Sequence, residues 1–303
     1  FFYLKIKFMS LRIAIQGIES SFHDLAVQQL FPDTEVTLVP CTSFKKVTIA
    51  LEQNKADMGV IAIENTIAGS ILPNYQLIDD GNFQILGETF LTIDMYMMAL
   101  AGQSIHDIDE VHSHPVALQQ CSDYLLKLQP HCKIIEGKDT ASEAKKIKEL
   151  GLKNVAAIAG KQVAEKYGLT ILDRQIQTIK ENKTRFVILS KIAGKSEGYN
   201  KASLRFELGH EIGSLSNILQ ILNTFDINLT KIQSFPIQGQ PWQYSFFVDV
   251  LFEDYALFQE VIAVLTKAVL KLKILGTYKQ NLSNQPYQVS AEKELTQEIP
   301  SAV

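Results

Sequence analysis

Short runs of β-branched and other apolar residues alternate with amphipathic helical stretches along the first part of the chain. From Leu11 onward the segments are LRIAIQ, SSFHDLAVQQLF, EVTLVPC, FKKVTIALEQ and ADMGVIAIEN. Strands that are each followed by a helix predict a mostly parallel sheet with helices on both faces. This region is therefore predicted to be an α/β fold.

A second series of the same kind follows the long predicted strand QILGETFLTIDMYMMAL. It contains the helix PVALQQCSDYLLKLQ, the strand CKIIEG, the helix TASEAKKIKEL, the strand NVAAIA and the helix GKQVAEKYG, which a glycine ends. Two similar α/β lobes are predicted, lobe 1 at about 10–87 and 178–192 and lobe 2 at about 88–177. Ligands of such sheets bind beyond the carboxyl ends of the strands or between lobes.

The remainder of the chain predicts a linker, a small domain and a tail. Residues 191–201 are rich in glycine, lysine and polar residues and are predicted to be the linker. Residues 201–279 have the pattern strand, helix, strand, strand, helix, strand, which is a ferredoxin-like βαββαβ unit. The polar tail at 280–303 contains two prolines and is predicted to be disordered.

Composition narrows the environment and the partners. A chain of 303 residues with 46% hydrophobic residues can bury a large core, and its formal charge of −4 indicates neither nucleic acid nor a membrane as partner. Three cysteines without a CxxC pair favour a reducing cytoplasm. The opening FFYLKIKF is too short to span a membrane and lacks a cleavage site. The strand-like SLRIAIQG begins just after Met9, so residues 1–8 are predicted to be an extension that the fold does not need.

Two loops that follow predicted strands could bind a ligand. QGIESSFH has no glycine-rich nucleotide motif, but its helix start offers Ser20 and Ser21 to an anion, or simply caps the helix. AIENTIAGS places Glu64, Asn65 and Thr66 at the carboxyl end of a buried strand, as a site or as a capped turn. Gly69 and Ser70 are predicted to begin the next helix.

The segment HSHPVALQQC has three possible roles. His112 and His114 share one strand face, but no third residue is spaced to complete a metal site. Pro115 fits the first turn of a helix, which places Ser113 and His114 at the helix N-terminus and Gln120 facing inward. Alternatively, Ser113 and His114 only cap the helix. No nucleophile elbow or cysteine signature accompanies these residues, so acyl transfer is not predicted and Cys121 is read as a small buried hydrophobe.

The segment ENKTRFVILS precedes a strongly apolar run. In isolation Thr184 and Arg185 are interpreted as the polar start of a strand. The alternative, donors aimed at a substrate, is favoured only because all four segments occur together in one order.

In this order the segments closely resemble those of bacterial prephenate dehydratases, which make phenylpyruvate on the phenylalanine pathway. The resemblance rests on ESSFHDLAV, IENTIAGSI, SHPVALQQC, DTASEA and NKTRF. INLTKI and PWQYSFFVDV resemble the regulatory ACT domain of the same family. The resemblance covers the chain from about Leu11 to about Tyr278.

The resemblance implies a catalytic region at 10–192 that is two-lobed like a type 2 periplasmic binding protein, followed by the ACT domain at 201–279. It implies a carbon-oxygen lyase without cofactor or metal that assembles as a dimer or tetramer. We expect Thr184 to donate to the leaving hydroxyl of prephenate and Arg185 to hold a carboxylate. The implied catalytic residues are Asn65, Ser113, Gln120 and Thr184, and the implied substrate-binding residues are Ser20, Ser21, Glu64, Thr66, Arg185 and Phe186.

The resemblance also implies feedback inhibition by L-phenylalanine. The family motifs GAL and ESRP correspond here to GSL at 213–215 and QSFP at 233–236, so a glutamate and an arginine are replaced. The implied effector-binding residues are Gly213, Ser214, Leu215, Asn228, Leu229, Gln233 and Ser234. The family's opening motif GPxGT is also replaced by GIES at 17–20, which adds a negative charge at Glu19.

Two other functions agree with the same pattern. A non-catalytic solute-binding or amino-acid-sensing protein could use the same cleft and regulatory domain. An arogenate dehydratase would perform the same chemistry on the aminated substrate, and no residue pattern separates an oxo from an amino side chain.

Overall fold

The computed structural model describes residues 10–128, 131–194, 198–237, 239–282 and 287. The extension predicted at residues 1–8 and most of the predicted disordered tail lie outside the described residues. Within the described part, no helix is long and apolar enough to cross a bilayer.

The first lobe contains the predicted alternation of strands and helices. Its elements are β1 (Leu11–Gln16), α1 (Phe22–Leu30), β2 (Val36–Cys41), α2 (Phe44–Glu52), β3 (Met58–Asn65), β4 (Gly69–Ser70), α3 (Leu72–Asp80) and β5 (Gln84–Thr92). Strands β1, β2 and β3 run parallel. Strands β1 and β3 carry continuous buried apolar runs because helices cover the sheet, whereas β2 lies at its edge.

The second lobe is a smaller sheet with its own core. Its elements are β6 (Tyr96–Ala99), a 3-10 turn (Ile105–Asp107), β7 (Glu110–Ser113), α4 (Pro115–Gln120), α5 (Ser122–Leu128), β8 (Lys133–Glu136), α6 (Thr140–Leu150), β9 (Val155–Ala159), α7 (Lys161–Tyr167) and β10 (Thr170–Asp173). The strand order is β10-β6-β9-β7-β8. Gly151 and Gly168 end α6 and α7 in the left-handed conformation.

After lobe 2 the chain returns to lobe 1 through β11 (Lys183–Ser190). This strand inserts between β3 and β5, antiparallel to both, and gives the order β2-β1-β3-β11-β5. The chain thus crosses between the lobes twice, once after β5 and once before β11. The predicted two-lobed architecture of the type 2 periplasmic-binding-protein kind is confirmed.

The C-terminal unit has the predicted βαββαβ order. Its elements are β12 (Lys201–Glu207), α8 (Ser214–Thr224), β13 (Asn228–Pro236), β14 (Tyr244–Leu251), α9 (Tyr255–Ala268) and β15 (Lys271–Tyr278), in the antiparallel order β13-β14-β12-β15. The two helices cover one face of this sheet. The other face packs on lobe 1, where Phe247, Leu275 and Tyr278 share an apolar core with Ile85 and Val187.

Three local predictions are wrong. Gly69 and Ser70 form the short strand β4, which pairs with β3, because the side chain of Asn65 caps a tight turn between them; the helix begins at Leu72. The long strand predicted at 84–100 is two strands, because the chain leaves the first sheet after Thr92 and enters the second at Tyr96. Lobe 1 therefore extends to Thr92 rather than to residue 87.

The third difference concerns the helix predicted at 115–129. It is interrupted at Cys121, which ends α4 with a non-helical backbone, and α5 follows directly. The carbonyl of Gln120 accepts from the N–H of Thr178 on the return segment instead of continuing one helix. This break sets Gln120 at the end of a short helix that faces lobe 1.

The described residues of the tail contact lobe 1 and the linker. Asn281 donates through its side chain to the Glu88 carbonyl at 3.1 Å, and Gln280 donates its N–H to the Asn200 side chain at 2.7 Å. Tyr287 packs on Phe31 and donates its N–H to the Leu30 carbonyl. These described residues do not fit a tail that is disordered throughout.

Candidate active site

A cavity of about 360 Å³ lies between the two lobes. Its walls come from the start of α1, the end of β3, the crossing segment after β5, α4, the start of α6, and β11. The volume lies within the usual range for small-ligand pockets. Among the residues that the structure describes, no lysine or arginine lines this cavity, and the acidic side chain in its wall is Asp139.

Three side-chain amides close a hydrogen-bonded ring beside the cavity. Asn65 Nδ2 donates to Asn182 Oδ1 at 2.6 Å, Asn182 Nδ2 donates to Gln120 Oε1 at 3.0 Å, and Gln120 Nε2 donates to Asn65 Oδ1 at 3.4 Å. All three residues are buried. This amide ring joins lobe 1, lobe 2 and the return segment, so it ties the cavity geometry to the relative position of the lobes.

The amide ring also orients Thr184. Asn65 Nδ2 lies 2.9 Å from Thr184 Oγ1, and because an amide nitrogen only donates, the hydroxyl oxygen accepts in this contact. The hydroxyl hydrogen of Thr184 is left to point elsewhere, and the side chain lines the cavity. Asn65 is itself held, since its Oδ1 accepts from the N–H groups of Ile67 and Ala68 at 2.9 Å. The result is a positioned hydroxyl donor in the cavity wall.

An aromatic wall stands next to Thr184. Phe186 also faces the cavity, because residues two apart on β11 share a face. The ring of His23 meets the Phe186 ring edge-on at 5.0 Å and lies 5.4 Å from the Phe44 ring. The Nε2 atom of His23 accepts from the N–H of Ala62 at 3.3 Å. Burial lowers the pKa of His23 to about 3, so this wall is neutral.

The neutral His23 predicts a pH dependence of stability. Its folded pKa lies below the unfolded value, so the stability it contributes is present above about pH 6.5 and is lost as pH falls toward 3. We expect the free energy of unfolding to fall by about 1.4 kcal/mol more per pH unit in wild type than in His23→Gln, which keeps an acceptor but does not titrate. Urea unfolding between pH 6.5 and 4.5 measures this; parallel pH dependences in the two proteins contradict it.

Two helix starts complete the lobe 2 side of the cavity. His114 caps α4, its Nδ1 accepting from the N–H of Val116 at 3.2 Å, and burial lowers the pKa of His114. Asp139 caps α6 and accepts from the N–H of Ser142 at 2.7 Å. With Ser21 at the start of α1, three helix N-termini point toward the cavity. Helix starts attract negative charge.

The structure brings together half of the residues predicted for the catalytic and substrate-binding groups. Those that line the cavity are Ser21, Asn65, Gln120, Thr184 and Phe186. Those that do not line it are Ser20, Glu64, Thr66, Ser113 and Arg185.

Local hydrogen bonds explain three of the misplaced residues. The hydroxyl of Ser113 donates to the Ile158 carbonyl at 2.6 Å, inside the lobe 2 sheet. Thr66 accepts from the N–H of Lys183 at 2.9 Å and so joins the loop to the return strand. Ser20 has a left-handed backbone, with its N–H donated to the Asp24 carboxylate at 2.6 Å. None of the three residues lines the cavity.

Arg185 and Glu64 lie on the opposite face of the sheet from the cavity. Arg185 follows Thr184, and alternate residues of a strand face opposite sides, so its guanidinium points away from the cleft. It donates to Glu88 at 2.7 Å and to the Tyr278 hydroxyl at 2.8 Å. Glu64 pairs with Lys231 at 2.7 Å. The expectation that Arg185 holds a substrate carboxylate is therefore wrong for this structure.

Several lining residues were not among the predicted site residues. His23, Phe44, Met95, His114 and Asp139 all face the cavity, and Asn182 belongs to the amide ring. Asn182 and Asp139 stood in the motifs NKTRF and DTASEA, so a signal for them existed in the sequence. Phe44 and Met95 follow patterns typical of ordinary core residues, and nothing in the sequence marks them.

The predicted effector residues lie in two places on the C-terminal unit. Gly213 adopts the left-handed conformation before α8, and Ser214 and Leu215 line a cavity of about 120 Å³ together with Trp242 and Tyr244. The others lie on β13, the edge strand of the sheet, and outside that cavity: Asn228, Leu229, Gln233 and Ser234. Within one chain the two groups are not joined.

The nucleophile and metal alternatives find no support in the geometry. Burial raises the pKa of the Cys121 thiol to about 12, and the Cys41 and Cys132 thiols are also free and buried. His112 faces Glu110 and Glu143, whereas His114 faces the cavity, so the two histidines do not converge. In the described part of the chain, no group of three or more His, Cys, Asp or Glu side chains could hold a metal ion.

Comparison with known proteins identifies close relatives of the chain. The family model described as prephenate dehydratase matches residues 13–193. A bifunctional chorismate mutase/prephenate dehydratase of Aquifex aeolicus is 32% identical over 275 residues, which cover 90% of this chain and 74% of that protein. Arogenate dehydratase/prephenate dehydratase 2 of Arabidopsis thaliana is 34% identical over 282 residues, covering 88% of this chain and 72% of that protein.

Solved structures show the same fold. The prephenate dehydratase of Staphylococcus aureus superposes with a TM-score of 0.76 at 27% identity, covering 89% of this chain and 100% of that chain. GqqA, described as a novel type of quorum quenching acylase, superposes with a TM-score of 0.77 at 28% identity, covering 89% of this chain and 98% of that chain. Since the family model spans more than half of the sequence and the two relatives exceed 30% identity over most of it, the chain belongs to the prephenate dehydratase family.

Proposed function

We propose that the protein is a prephenate dehydratase, which converts prephenate to phenylpyruvate, CO2 and water. The observation that carries this proposal is the hydroxyl of Thr184, whose oxygen accepts from Asn65 and whose hydrogen is free to donate into an apolar cavity. A donor of this kind suits a leaving hydroxyl on which negative charge develops.

The reaction needs little beyond such a donor. The bond between the ring and its carboxylate breaks, its electron pair enters the ring, and the 4-hydroxyl leaves with the electron pair of its own bond. Aromatisation drives both cleavages, and the departing hydroxide takes one proton from solvent to become water. A hydrogen bond from Thr184 lowers the energy of the departing oxygen, while Asn65 and Gln120 hold the cavity wall in shape.

The absence of cationic side chains among the described lining residues agrees with a decarboxylation. A tight ion pair to the ring carboxylate would stabilise the ground state, whose charge is lost when CO2 leaves. First-turn amides of α1 are a weaker partner that can still orient a carboxylate, whereas the start of α6 already carries the Asp139 carboxylate. We assign one carboxylate of the substrate to the start of α1 in place of Arg185.

Arogenate is the second candidate substrate. It differs by carrying an ammonium group where prephenate has an oxo group, and Asp139 in the cavity wall offers that group a negative partner. The Arabidopsis relative is named for both activities. Acyl transfer is not proposed, because the Ser113 hydroxyl donates within lobe 2 and the Cys121 thiol is protonated at neutral pH.

The C-terminal unit is proposed to be an ACT domain that binds L-phenylalanine and lowers activity. Its βαββαβ topology and the cavity at Ser214 and Leu215 support this assignment. The remaining predicted effector residues lie on the edge strand β13, where a second copy of the chain could complete the site. The proposal therefore includes assembly as a homodimer or homotetramer. It also includes a location in the cytoplasm, which the three free cysteines favour.

A single assay separates these functions. Purified protein is incubated with prephenate and, separately, with arogenate, and the formation of phenylpyruvate or phenylalanine is followed. We expect turnover of prephenate, and turnover that falls when millimolar L-phenylalanine is added. Turnover of arogenate alone supports the second candidate, and binding without turnover of either compound supports a sensing protein.

A further inference from the structure

Asn65 of the amide ring and the donor Thr184 are each next to a charged residue on the opposite face of the sheet. Glu64 precedes Asn65 on β3, and Arg185 follows Thr184 on β11. The two strands pair so that Arg185 lies opposite Glu64. Both charged side chains therefore project together toward the C-terminal unit, away from the cavity.

The C-terminal unit presents the complementary pair at the same place. Lys231 on β13 and Asp249 on β14 are also register partners. Lys231 contacts Glu64 at 2.7 Å, and Asp249 pairs with the Arg185 guanidinium. A cross-strand pair of one sheet thus meets a cross-strand pair of the other with opposite charges matched. We call these four residues the charge quartet.

The Arg185 side of the quartet is deeply buried. Glu88 accepts from Arg185 and from Lys201, whose Nζ lies 2.9 Å from both Glu88 oxygens. Arg185, Glu88, Lys201 and Asp249 are each at most 4% exposed, and their charges sum to zero. Loss of one partner leaves a buried charge unpaired, which is strongly unfavourable, so the two units are held in one arrangement.

The backbone of β3 is irregular at this position. The pairing of β11 with β3 is irregular between Arg185 and Phe186, so Phe186 pairs with Ala62 and Ile63 has no partner on that strand. Bulges near active sites re-aim side chains, and at a bulge the hydrogen-bond ladder restrains the strand less. Here the extra residue lies on β3 between Ala62 and Asn65, which both line the cavity. On its other side β11 pairs regularly with β5 from Lys183 to Ile188, so the less restrained strand is β3, and the contacts of Glu64 with Lys231 and Arg185 hold it beside Asn65.

We propose that the charge quartet positions the catalytic donor: Lys231 and Asp249 of the C-terminal unit act through Glu64 and Arg185 to set the geometry of Asn65 and Thr184. The proposal rests on the dehydratase function proposed above and adds four positioning residues to it. Lys231 lies two residues before Gln233 on β13, so an effector that moves this strand also moves the quartet. Occupation of the C-terminal unit is thereby linked to the orientation of the Thr184 hydroxyl.

A matched pair of lysine substitutions tests the proposal. Lys273, like Lys231, joins the C-terminal sheet to lobe 1, but it pairs with Asp79 at 2.8 Å, at the end of α3 and away from β3 and β11. We expect Lys231→Gln to lower kcat by roughly 10- to 100-fold with little change in KM, because the donor is misplaced but the cavity remains. Lys273→Gln should keep kcat within about twofold of the wild-type value. It should lower thermal stability about as much as Lys231→Gln does.

Failure of the positioning role can be distinguished from failure of the proposed dehydratase function. If wild type turns over neither prephenate nor arogenate, the function fails. If wild type is active and Lys231→Gln retains kcat, or if Lys273→Gln lowers kcat equally, the positioning role is overturned. Glu64→Gln combined with Lys231→Gln should lower kcat by less than the product of the two separate losses, since the contact between Glu64 and Lys231 is common to both; losses that multiply contradict the proposal.

Discussion

Replacing Thr184 with valine should lower kcat by roughly 30- to 1000-fold, which corresponds to about 2 to 4 kcal/mol of transition-state stabilisation. Valine matches the shape of threonine but lacks the hydroxyl hydrogen that we assign to the leaving oxygen. Asn65 Nδ2 keeps two other acceptors, Asn182 and the Lys183 carbonyl, so the amide ring should survive. Steady-state turnover of prephenate, with circular dichroism to confirm folding, measures the effect.

Two control variants test whether this loss is due to the hydroxyl of Thr184. Thr184→Ser keeps the hydroxyl and should retain most of the activity. Thr37→Val makes the same substitution at an exposed position on β2 of the same sheet and should leave kcat unchanged. Near-normal turnover in folded Thr184→Val rules out the donor role.

Replacing Gly276 with alanine should separate the C-terminal sheet from lobe 1. A Cβ at this position would lie 2.2 Å from the Ile85 carbonyl oxygen and 2.7 Å from the Ile85 Cβ. The obstacle is backbone, which cannot rotate away, so strand β15 must move off β5. We expect the free energy of unfolding to fall by about 1 to 3 kcal/mol, as is usual for overpacking. Urea unfolding measures the loss.

The interface also predicts that Gly276→Ala should lose activity. Moving β15 displaces Tyr278, which Arg185 contacts, so kcat should fall together with stability. Gly209→Ala is a suitable control, because the nearest atom to its Cβ is 3.9 Å away and belongs to the flexible Glu211 side chain. Unchanged stability in Gly276→Ala would mean that the two units do not dock as closely in solution.

Periodicity was sufficient to predict most of the elements. The alternation of apolar strands and amphipathic helices is a local property, and hydrophobic burial enforces it in each element. The predictions were wrong where a tertiary contact decides the conformation. Asn65 folds its side chain onto the following turn and produces β4, and the chain leaves one sheet for the other at 93–95, within an unbroken apolar run.

The candidate site was predictable in part and for two different reasons. Asn65, Gln120 and Thr184 could be selected from motif order, and they meet at the cavity. The alternation of side chains along a strand could have shown that Thr184 and Arg185 face opposite sides. It could not have supplied the partners of Arg185, because Asp249 and Tyr278 lie in another domain, with no sequence pattern connecting them.

The sequence by itself determined the class of most elements and the family, and it selected Thr184 as the donor that we propose, because these depend on residue type and local spacing. Only the tertiary structure decided which polar residues share a cavity and which face an interface. That decision depends on contacts between segments far apart in the chain, such as Arg185 with Asp249 and Glu64 with Lys231. Long-range pairing of this kind arises from packing the sheets against one another, and no local pattern encodes it.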